Sequence, residues 1–296
     1  MTTLTYFFYL CTMQSNIEHI HSELKGLYPE TEIKSFSYLI IGKLTGFSRT
    51  EIFVNKNTPF SIEQQHVIES FIEKLKRFVP IQYILGETEF YGLPFYVNES
   101  VLIPRPETEE LVDWIQKENN READLHILDI GTGSGCIAIA LKKEFADATV
   151  DAFDISEKAL ETAQSNAERN KLNVHFATVD ILNAPEFTKK WDIIVSNPPY
   201  ITENEKSDIL PNVLENEPHL ALFVPDNDPL LFYRTITLFA LKHLQPNGKL
   251  YFEINREAGI TCVELLKKLG FEYVELKKDI SGNDRMVKVV FKIKIP

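Results

Sequence analysis

The run from Leu125 to Glu144 constrains the fold more than any other part of this 296-residue chain. Leu125-His126-Ile127-Leu128-Asp129-Ile130 reads as a buried parallel strand, and Gly131-Thr132-Gly133-Ser134-Gly135 follows it directly. The stretch from Cys136 to Glu144 then reads as a helix. Glycines suit such a junction because the backbone turns sharply and a Cβ would block an approaching ligand. A tight turn without a ligand, or the opening of a dinucleotide enzyme, would give the same pattern.

Two further strand-like runs, Thr149 to Asp154 and Asn173 to Asp180, each end on an aspartate. Asp154 could accept hydrogen bonds from both hydroxyls of a ribose, and Asp180 could accept one from the exocyclic amine of adenine. Either aspartate could instead cap a helix or close a turn. Because ligands of open α/β sheets bind outside the carboxyl edge of the strands, the two positions together favour a nucleotide-like ligand.

The tetrapeptide Asn197-Pro198-Pro199-Tyr200 follows the strand-like run Trp191 to Ser196. The Asn197 side-chain oxygen and the Pro198 carbonyl can both accept hydrogen bonds from one planar NH2 group, while Tyr200 offers a ring face. The prolines stiffen the backbone and have no N–H to compete for acceptors. A plain Pro-Pro turn is the alternative. The motif predicts a clamp for an amide or aromatic amine, whose delocalised lone pair must be reoriented before it attacks an alkyl donor.

These motifs resemble those of class I S-adenosylmethionine-dependent methyltransferases, and more narrowly those of the release factor N5-glutamine methyltransferases. Two segments carry the narrower likeness, Tyr83 to Gly92 (YILGETEFYG) and Val101 to Glu109 (VLIPRPETE). The second is close to diagnostic of this subfamily. Read without the resemblance, it is a proline-stiffened linker that leads into a helix from Glu107, once Pro104 and Pro106 are passed.

The resemblance implies a role for each residue of the predicted site. The methionine end of S-adenosylmethionine would be held by Gly131, Thr132, Gly133, Ser134 and Gly135. Asp154 would hold the ribose, and Asp180 with Ile181 would border the adenine. The substrate glutamine would be bound by Asn197, Pro198, Pro199 and Tyr200, of which Asn197, Pro198 and Tyr200 would be catalytic and Asn197 would also contact the cofactor.

The implied reaction is methyl transfer to the side-chain amide nitrogen, N5, of the glutamine in a Gly-Gly-Gln motif of peptide chain release factors, in support of translation termination. S-adenosylhomocysteine would be the product. In-line displacement depends on positioning and needs no nucleophilic side chain. The seven histidines are scattered and match no metal or triad spacing. We therefore expect no metal site and no histidine base, and the amide proton is expected to leave to water.

The segment from about Gln14 to Arg77 reads as a small helical bundle. Helical spacing predicts helices over 15–27 and 35–44 and the start of another over 50–54. Ser61 and Gln64 form a capping-box pattern before an apolar stripe that runs from Val67 to Phe78. Core packing explains these stripes better than a cofactor site does. By the family resemblance, the bundle helps to recognise the protein substrate.

The remaining elements complete an α/β domain. After the clamp, helical patterns cover 230–244, closed by 245–248, and 257–269; strand patterns cover 249–254, 271–278 and 285–294. The predicted fold is therefore α/β, a seven-stranded, mostly parallel Rossmann-like methyltransferase sheet with a terminal antiparallel hairpin, after an N-terminal helical bundle. The predicted domains are 1–82 for substrate recognition, 83–106 as an interdomain linker and 107–296 as the methyltransferase domain.

Charge separates the rival functions. Residues 1–85 contain 8 Lys and Arg and 8 Asp and Glu, so the net charge of −12 falls entirely in residues 86–296. A DNA adenine-N6 methyltransferase could share the N-P-P-Y clamp, but it should present a basic footprint to phosphates. A nicotinamide oxidoreductase would leave the clamp unexplained. A helical binding module on a degenerate methyltransferase fold is disfavoured because the glycine, acidic and clamp residues are all intact.

Cysteine count indicates a cytoplasmic protein, and we expect the protein to be a monomer. Cys11, Cys136 and Cys262 form no CxxC pair, which suits a reducing compartment without structural zinc. No run approaches the roughly 18 apolar residues needed to span a bilayer. Met1 to Met13 has neither a positive leader nor a cleavage site. Because the family pattern begins near an amphipathic helix, we hypothesise that translation starts at Met13 and that residues 1–12 have little structure. Intact-mass analysis of protein from the native locus would test this start.

Overall fold

The computed structural model describes residues 11–121 and 123–292, which divide into two compact units between Gly86 and Glu87. This point lies inside the predicted linker. The prediction that residues 1–12 have little structure falls mostly outside the described residues, but it is wrong for Cys11 and Thr12. The Cys11 carbonyl accepts from the Phe60 backbone N–H, and Thr12 pairs with Pro59. The Thr12 hydroxyl also accepts from the Ser15 N–H as the cap of the first helix.

The first unit is helical, as predicted, and its helices enclose one apolar cluster that includes Ile20, Ile40 and Ile72. The predicted capping box is confirmed, because Ser61 and Gln64 each bond to the other's backbone N–H. Its helices are α1 (Met13–Leu24), α2 (Glu30–Thr45), α3 (Arg49–Val54), α4 (Ile62–Leu75) and α5 (Ile81–Leu85).

Two helix boundaries in this unit differ from the prediction by three or more residues. α1 ends at Leu24 rather than Leu27, since Gly26 has φ +85° and the left-handed region ends a helix. α2 begins at Glu30, five residues earlier than predicted. Glu30 and Glu32 occupy its first turn, where acidic side chains are favourable near the positive end of the helix dipole.

The second unit contains a seven-stranded sheet flanked by helices. Its strands are β3 (His126–Ile130), β4 (Thr149–Asp154), β5 (His175–Thr178), β6 (Trp191–Ser196), β9 (Leu244–Glu253), β10 (Val274–Lys278) and β11 (Asp284–Val290). Their order across the sheet is β10-β11-β9-β6-β3-β4-β5. The five strands from β9 to β5 in this order pair in parallel, and β10 and β11 add an antiparallel hairpin at one edge. This confirms the predicted Rossmann-like methyltransferase sheet.

Smaller elements complete the second unit. Two antiparallel strands, β1 (Glu87–Phe90) and β2 (Leu93–Tyr96), form a hairpin in the segment predicted as a linker, and β7 (Ile201–Thr202) pairs with β8 (Phe223–Val224). The helices are α6 (Pro106–Glu118), α7 (Cys136–Glu144), α8 (Glu157–Asn170), α9 (Pro211–Leu214), α10 (His219–Leu222), α11 (Leu231–His243) and α12 (Gly259–Lys268). Among the described residues, no helix has the length and hydropathy needed to cross a membrane.

Helix α6 begins at Pro106, one residue before the predicted start. Pro106 lacks an N–H, but the first N–H groups of a helix have no partner inside the helix. Its fixed φ also suits the first helical position. A proline was therefore compatible with the helix, and the prediction that both prolines must be passed is wrong.

Strand β9 includes the four residues that were predicted to close the preceding helix. Trp191 pairs with Leu244 and Ile193 pairs with Lys249, so residues 245–248 bulge out between two paired stretches. Asn247 has φ +64° there, a conformation that asparagine tolerates better than most residues. The turn signal was correct, but it marks a bulge rather than a break.

Strand order reverses at β3. The chain runs from β3 to β4 and β5 on one side, and then crosses to β6 on the other side of β3. The segments that leave the carboxyl ends of β3 and β6 must therefore diverge, which opens a crevice between them. The sheet topology places the predicted site at this crevice.

Candidate active site

The glycine loop leaves β3 in a conformation that other residues rarely adopt. Gly131, Gly133 and Gly135 have φ values of +74°, +55° and +80°. The N–H groups of Gly131 and Thr132 both donate to the Phe153 carbonyl, at 2.8 and 3.0 Å. A Cβ at Gly131 or Gly133 would meet no protein atom within 4 Å, and both residues line the pocket. The open side of the loop therefore faces space that a ligand can occupy.

Gly135 differs from its two neighbours in the loop, because it does not line the pocket and instead packs against α8. A Cβ there would lie 3.1 Å from both the Ala163 Cβ and the Ile139 Cδ1. Among the described residues, Gly135 allows α8 to pack closely against the glycine loop. Its predicted contact with the cofactor stays a prediction.

We expect Gly135→Ala to lower the free energy of unfolding of the second unit by about 2–4 kcal/mol, because it combines a left-handed residue with a steric overlap. Gly92→Ala is the matched control, since Gly92 has φ +67° and open space around its Cβ position. The control should lose only about 1–2 kcal/mol. Urea unfolding of both variants measures the difference. Equal losses would contradict the packing role of Gly135.

Asp154 ties the glycine loop to the end of β4. Its Oδ2 accepts from the Gly133 N–H at 2.8 Å, and its Oδ1 accepts from the Ser156 N–H at 2.9 Å. Burial raises the pKa of this carboxyl, and the two backbone hydrogen bonds oppose that rise. Each oxygen keeps a further lone pair, and Asp154 lines the pocket. It can therefore hold the loop and accept from a ribose together.

Asp180 lies two residues beyond β5 and caps a short 3-10 helix, Ile181–Asn183. Its Oδ1 accepts from the Leu182 N–H at 2.9 Å, and its Oδ2 accepts from the Asn183 Nδ2 at 2.7 Å. The capping alternative is thus correct. Asp180 and Ile181 also line the pocket, together with Leu182 and Ile155, whose side chains are 41% and 48% exposed. Exposed apolar side chains at a pocket wall suit the faces of a planar base.

The N-P-P-Y segment continues from β6 on the opposite side of the same pocket. The Ser196 hydroxyl donates to the Ile130 carbonyl at 2.6 Å, which fixes the end of β6 beside the start of the glycine loop. Asn197, Pro198 and Pro199 line the pocket. Tyr200 does not line it; its ring packs against the hydrophobic cluster beneath this edge of the sheet. Burial raises the pKa of the Tyr200 phenol, so the hydroxyl is neutral near pH 7.

Two buried carboxyl groups at this edge were missed by sequence reasoning. Asp129 lies beneath the glycine loop, is fully buried and accepts from the Thr132 hydroxyl at 2.6 Å. Burial raises the pKa of Asp129 to about 7. Glu253, the last residue of β9, is 2% exposed and accepts from the Thr108 hydroxyl at 2.6 Å. An acidic residue at the last or next-to-last position of an apolar strand was the available signal in both cases.

A third missed carboxylate holds the wall of the pocket together. Glu217 is 4% exposed and accepts from the Arg105 guanidinium at 2.5 Å and from the Ile103 N–H at 3.3 Å. Arg105 and Pro218 both line the pocket. The ion pair thus joins the I-P-R-P-E-T-E segment to the segment after the clamp. Among the described residues, no group of three or more histidine, cysteine, aspartate or glutamate side chains is arranged to hold a metal ion.

Comparison with known proteins extends the match beyond the site. A family model described as the PrmC N-terminal domain matches residues 17–86, and one described as the methyltransferase small domain matches residues 107–220. The crystal structure of a methyltransferase from Pyrococcus furiosus superposes with a TM-score of 0.51 at 19% identity, covering 78% of this chain and 99% of that chain. That likeness concerns the fold alone.

Two curated relatives are similar along nearly their whole length. The release factor glutamine methyltransferase of Flavobacterium psychrophilum is 53% identical over 272 residues, which cover 91% of this chain and 95% of the relative. That of Bacteroides thetaiotaomicron is 47% identical over 270 residues, which cover 91% and 96%. Identity of this extent, reaching through both units, places the chain in the release factor glutamine methyltransferase family.

Proposed function

We propose that this chain is an S-adenosylmethionine-dependent enzyme that methylates the N5 amide nitrogen of the glutamine in the Gly-Gly-Gln motif of peptide chain release factors. One observation carries the proposal: Asn197 and Pro198 line the same pocket as the glycine loop and Asp154. An amide clamp and a nucleotide-type site therefore share one space. The family to which the chain belongs supports the same activity.

The residues around the glycine loop fit the cofactor. The open side of Gly131 and Gly133 leaves room for the methionine end of the cofactor. Asp154 would accept from the ribose hydroxyls, and Ile155, Ile181 and Leu182 would contact the adenine faces. Bound S-adenosylmethionine supplies an electrophilic methyl group.

The clamp residues would prepare the acceptor nitrogen. The Asn197 Oδ1 and the Pro198 carbonyl accept hydrogen bonds from the two N–H groups of the substrate amide, which fixes the plane of that amide. Both hydrogen bonds strengthen as the nitrogen becomes cationic, so they stabilise the transition state more than the bound substrate. The excess proton then passes to water. Tyr200 supports the clamp from behind, through its packing against the core.

The two units would divide the work between them. We assign the helical region, 1–82 in the predicted division, to recognition of the protein substrate, 83–106 to the connection and 107–296 to catalysis. The match of residues 17–86 to a separate family model supports this division. We further propose that the enzyme acts as a cytoplasmic monomer. Because the residues from 86 onward carry the whole net charge of −12, we also propose that it does not bind DNA.

Incubation with a recombinant release factor and labelled S-adenosylmethionine tests the proposal, with peptide mass spectrometry as the readout. We expect the Gly-Gly-Gln peptide alone to gain one labelled methyl group in place of one hydrogen. Methylation of duplex DNA in place of the release factor would favour the adenine-N6 alternative. Binding of NAD without binding of S-adenosylhomocysteine would favour an oxidoreductase, and cofactor binding without turnover of either substrate would favour an inert binding module.

A further inference from the structure

Three polar side chains from distant parts of the sequence form a chain of hydrogen bonds behind the clamp. Asn197 follows β6, Thr108 lies in the first turn of α6 and Glu253 ends β9. The Thr108 hydroxyl lies 2.6 Å from the Glu253 Oε2, and the Asn197 Nδ2 lies 3.4 Å from the Thr108 Oγ1. Thr108 and Glu253 are each 2% exposed, and Asn197 and Thr108 line the pocket.

The number of available protons fixes the direction of these hydrogen bonds. A threonine hydroxyl has one proton, and an ionised carboxylate can only accept. When Glu253 is ionised, the Thr108 proton therefore goes to Glu253, which leaves the Thr108 oxygen as an acceptor. Among the described side chains, the NH2 end of the Asn197 amide is placed to donate to that oxygen. The Asn197 Oδ1 is then left for a ligand in the pocket.

This direction matters because an asparagine amide has nearly the same shape in both orientations. In one orientation Asn197 offers an oxygen to the pocket and can accept from a substrate NH2 group. In the other orientation it offers its own NH2 group. That group would face the substrate NH2 group, and two donors cannot hydrogen-bond to each other. A buried polar group left facing a like partner costs about 1–3 kcal/mol. The residues around Asn197 must therefore select one of the two amide orientations.

We propose that Glu253, acting through Thr108, selects the Asn197 orientation that presents Oδ1 to the acceptor nitrogen. Glu253 and Thr108 are thus positioning residues for methyl transfer, and neither touches the nitrogen itself. The inference rests on the proposed function, since the selected orientation is useful only for an acceptor that carries an NH2 group.

The state of Glu253 depends on the charged and titratable groups that face it. Burial raises the pKa of Glu253 to about 7, while the Thr108 hydrogen bond and the guanidinium of Arg285 oppose that rise. Protonated Glu253 can itself donate to Thr108. The Thr108 proton is then free to bond to the Asn197 oxygen, which reverses the direction of both hydrogen bonds. The groups that face Glu253 are Arg285, Arg105, Glu107, Tyr200, Tyr233 and Cys136.

Thr108→Val tests the role of Glu253 and Thr108, because valine keeps the shape of the threonine side chain and removes its hydroxyl. We expect kcat for methylation of the recombinant release factor to fall at least about tenfold, while the Kd for S-adenosylhomocysteine changes less than about twofold. Thr108→Ser restores a hydroxyl and should recover most of the lost turnover. A Thr108→Val enzyme within twofold of wild type, or a serine variant as slow as the valine variant, would overturn the inference.

The dependence of kcat on pH gives a second test, because a purely structural role of Glu253 would not produce it. With saturating substrates, log kcat of the wild type should rise with a slope of one as Glu253 ionises, and level off above that pH. Glu253→Gln cannot ionise, so this limb should disappear whatever its maximal rate, and persistence of the limb in that variant would overturn the inference. Should Thr108→Val fail to fold, as judged by its Tm and its binding of S-adenosylhomocysteine, Glu253→Gln decides the matter.

The same assays separate this inference from the proposed function. Absence of release factor methylation by the wild-type enzyme would refute the proposed function. Normal methylation by the wild type, with a rate and pH profile that neither Thr108→Val nor Glu253→Gln alters, would refute only the positioning role of Glu253 and Thr108.

Discussion

Asn197→Ala is expected to lower kcat for release factor methylation by about 10²- to 10³-fold, the usual effect of removing one hydrogen-bonding group aimed at a charge that develops in the transition state. Alanine removes the acceptor oxygen but leaves the Pro198 carbonyl and the stiff backbone in place. The Kd for S-adenosylhomocysteine should change by less than about threefold, because the glycine loop and Asp154 do not contact Asn197 through any described hydrogen bond. Single-turnover rates and calorimetric titration measure the two effects separately.

The matched control for this variant is Asn173→Ala. Asn173 is an exposed asparagine before β5 that does not line the pocket. It should leave both the rate and the affinity unchanged. If Asn197→Ala retained more than a tenth of the wild-type rate, the clamp assignment would be wrong.

Asp154→Ala is expected to show the opposite pattern, with a large loss of affinity and a smaller loss of rate. Two charge-assisted hydrogen bonds to the ribose would be lost, which is about 3–6 kcal/mol and about 10²- to 10⁴-fold in Kd. The Gly133 and Ser156 N–H groups would also lose their partner. At saturating S-adenosylmethionine the clamp is intact, so kcat should fall less than about tenfold. Calorimetry with S-adenosylhomocysteine and initial rates at high cofactor concentration give the two numbers.

Asp147→Ala serves as its control. Asp147 is exposed in the turn before β4, at the opposite end of the strand from Asp154. Cofactor affinity in this variant should match that of the wild type. A Kd for Asp154→Ala within fivefold of the wild-type value would remove Asp154 from the cofactor site.

Much of the central fold was predictable because local patterns and tertiary context agree there. The bounds of β4, β6 and α7 match their predictions residue for residue, since each is an apolar run with a clear turn signal at its end. The terminal hairpin and the seven-stranded count followed from the same patterns. β5 is shorter than predicted, His175–Thr178, because only these residues pair with β4.

The site was predictable where sequence neighbours act together and not where distant residues meet. The glycine loop and N-P-P-Y are contiguous, so their joint location needed only the strand order. Thr108 and Glu253 are separated by 145 positions in the sequence. Their hydrogen bond depends on how α6 packs beside β9, which no local pattern specifies. The ion pair of Glu217 and Arg105 could not be predicted for the same reason, because the two residues are 112 positions apart in the sequence.

The bond between Gly133 and Asp154 has a thermodynamic consequence for fragments of the cofactor. One carboxylate braces the loop that would receive the amino-acid moiety and also receives the sugar. Adenosine binding should therefore preorder the loop, and methionine should then bind with less entropic loss. The two fragments would thus bind cooperatively although no covalent bond joins them, and the intact cofactor would gain more affinity than its halves contribute alone.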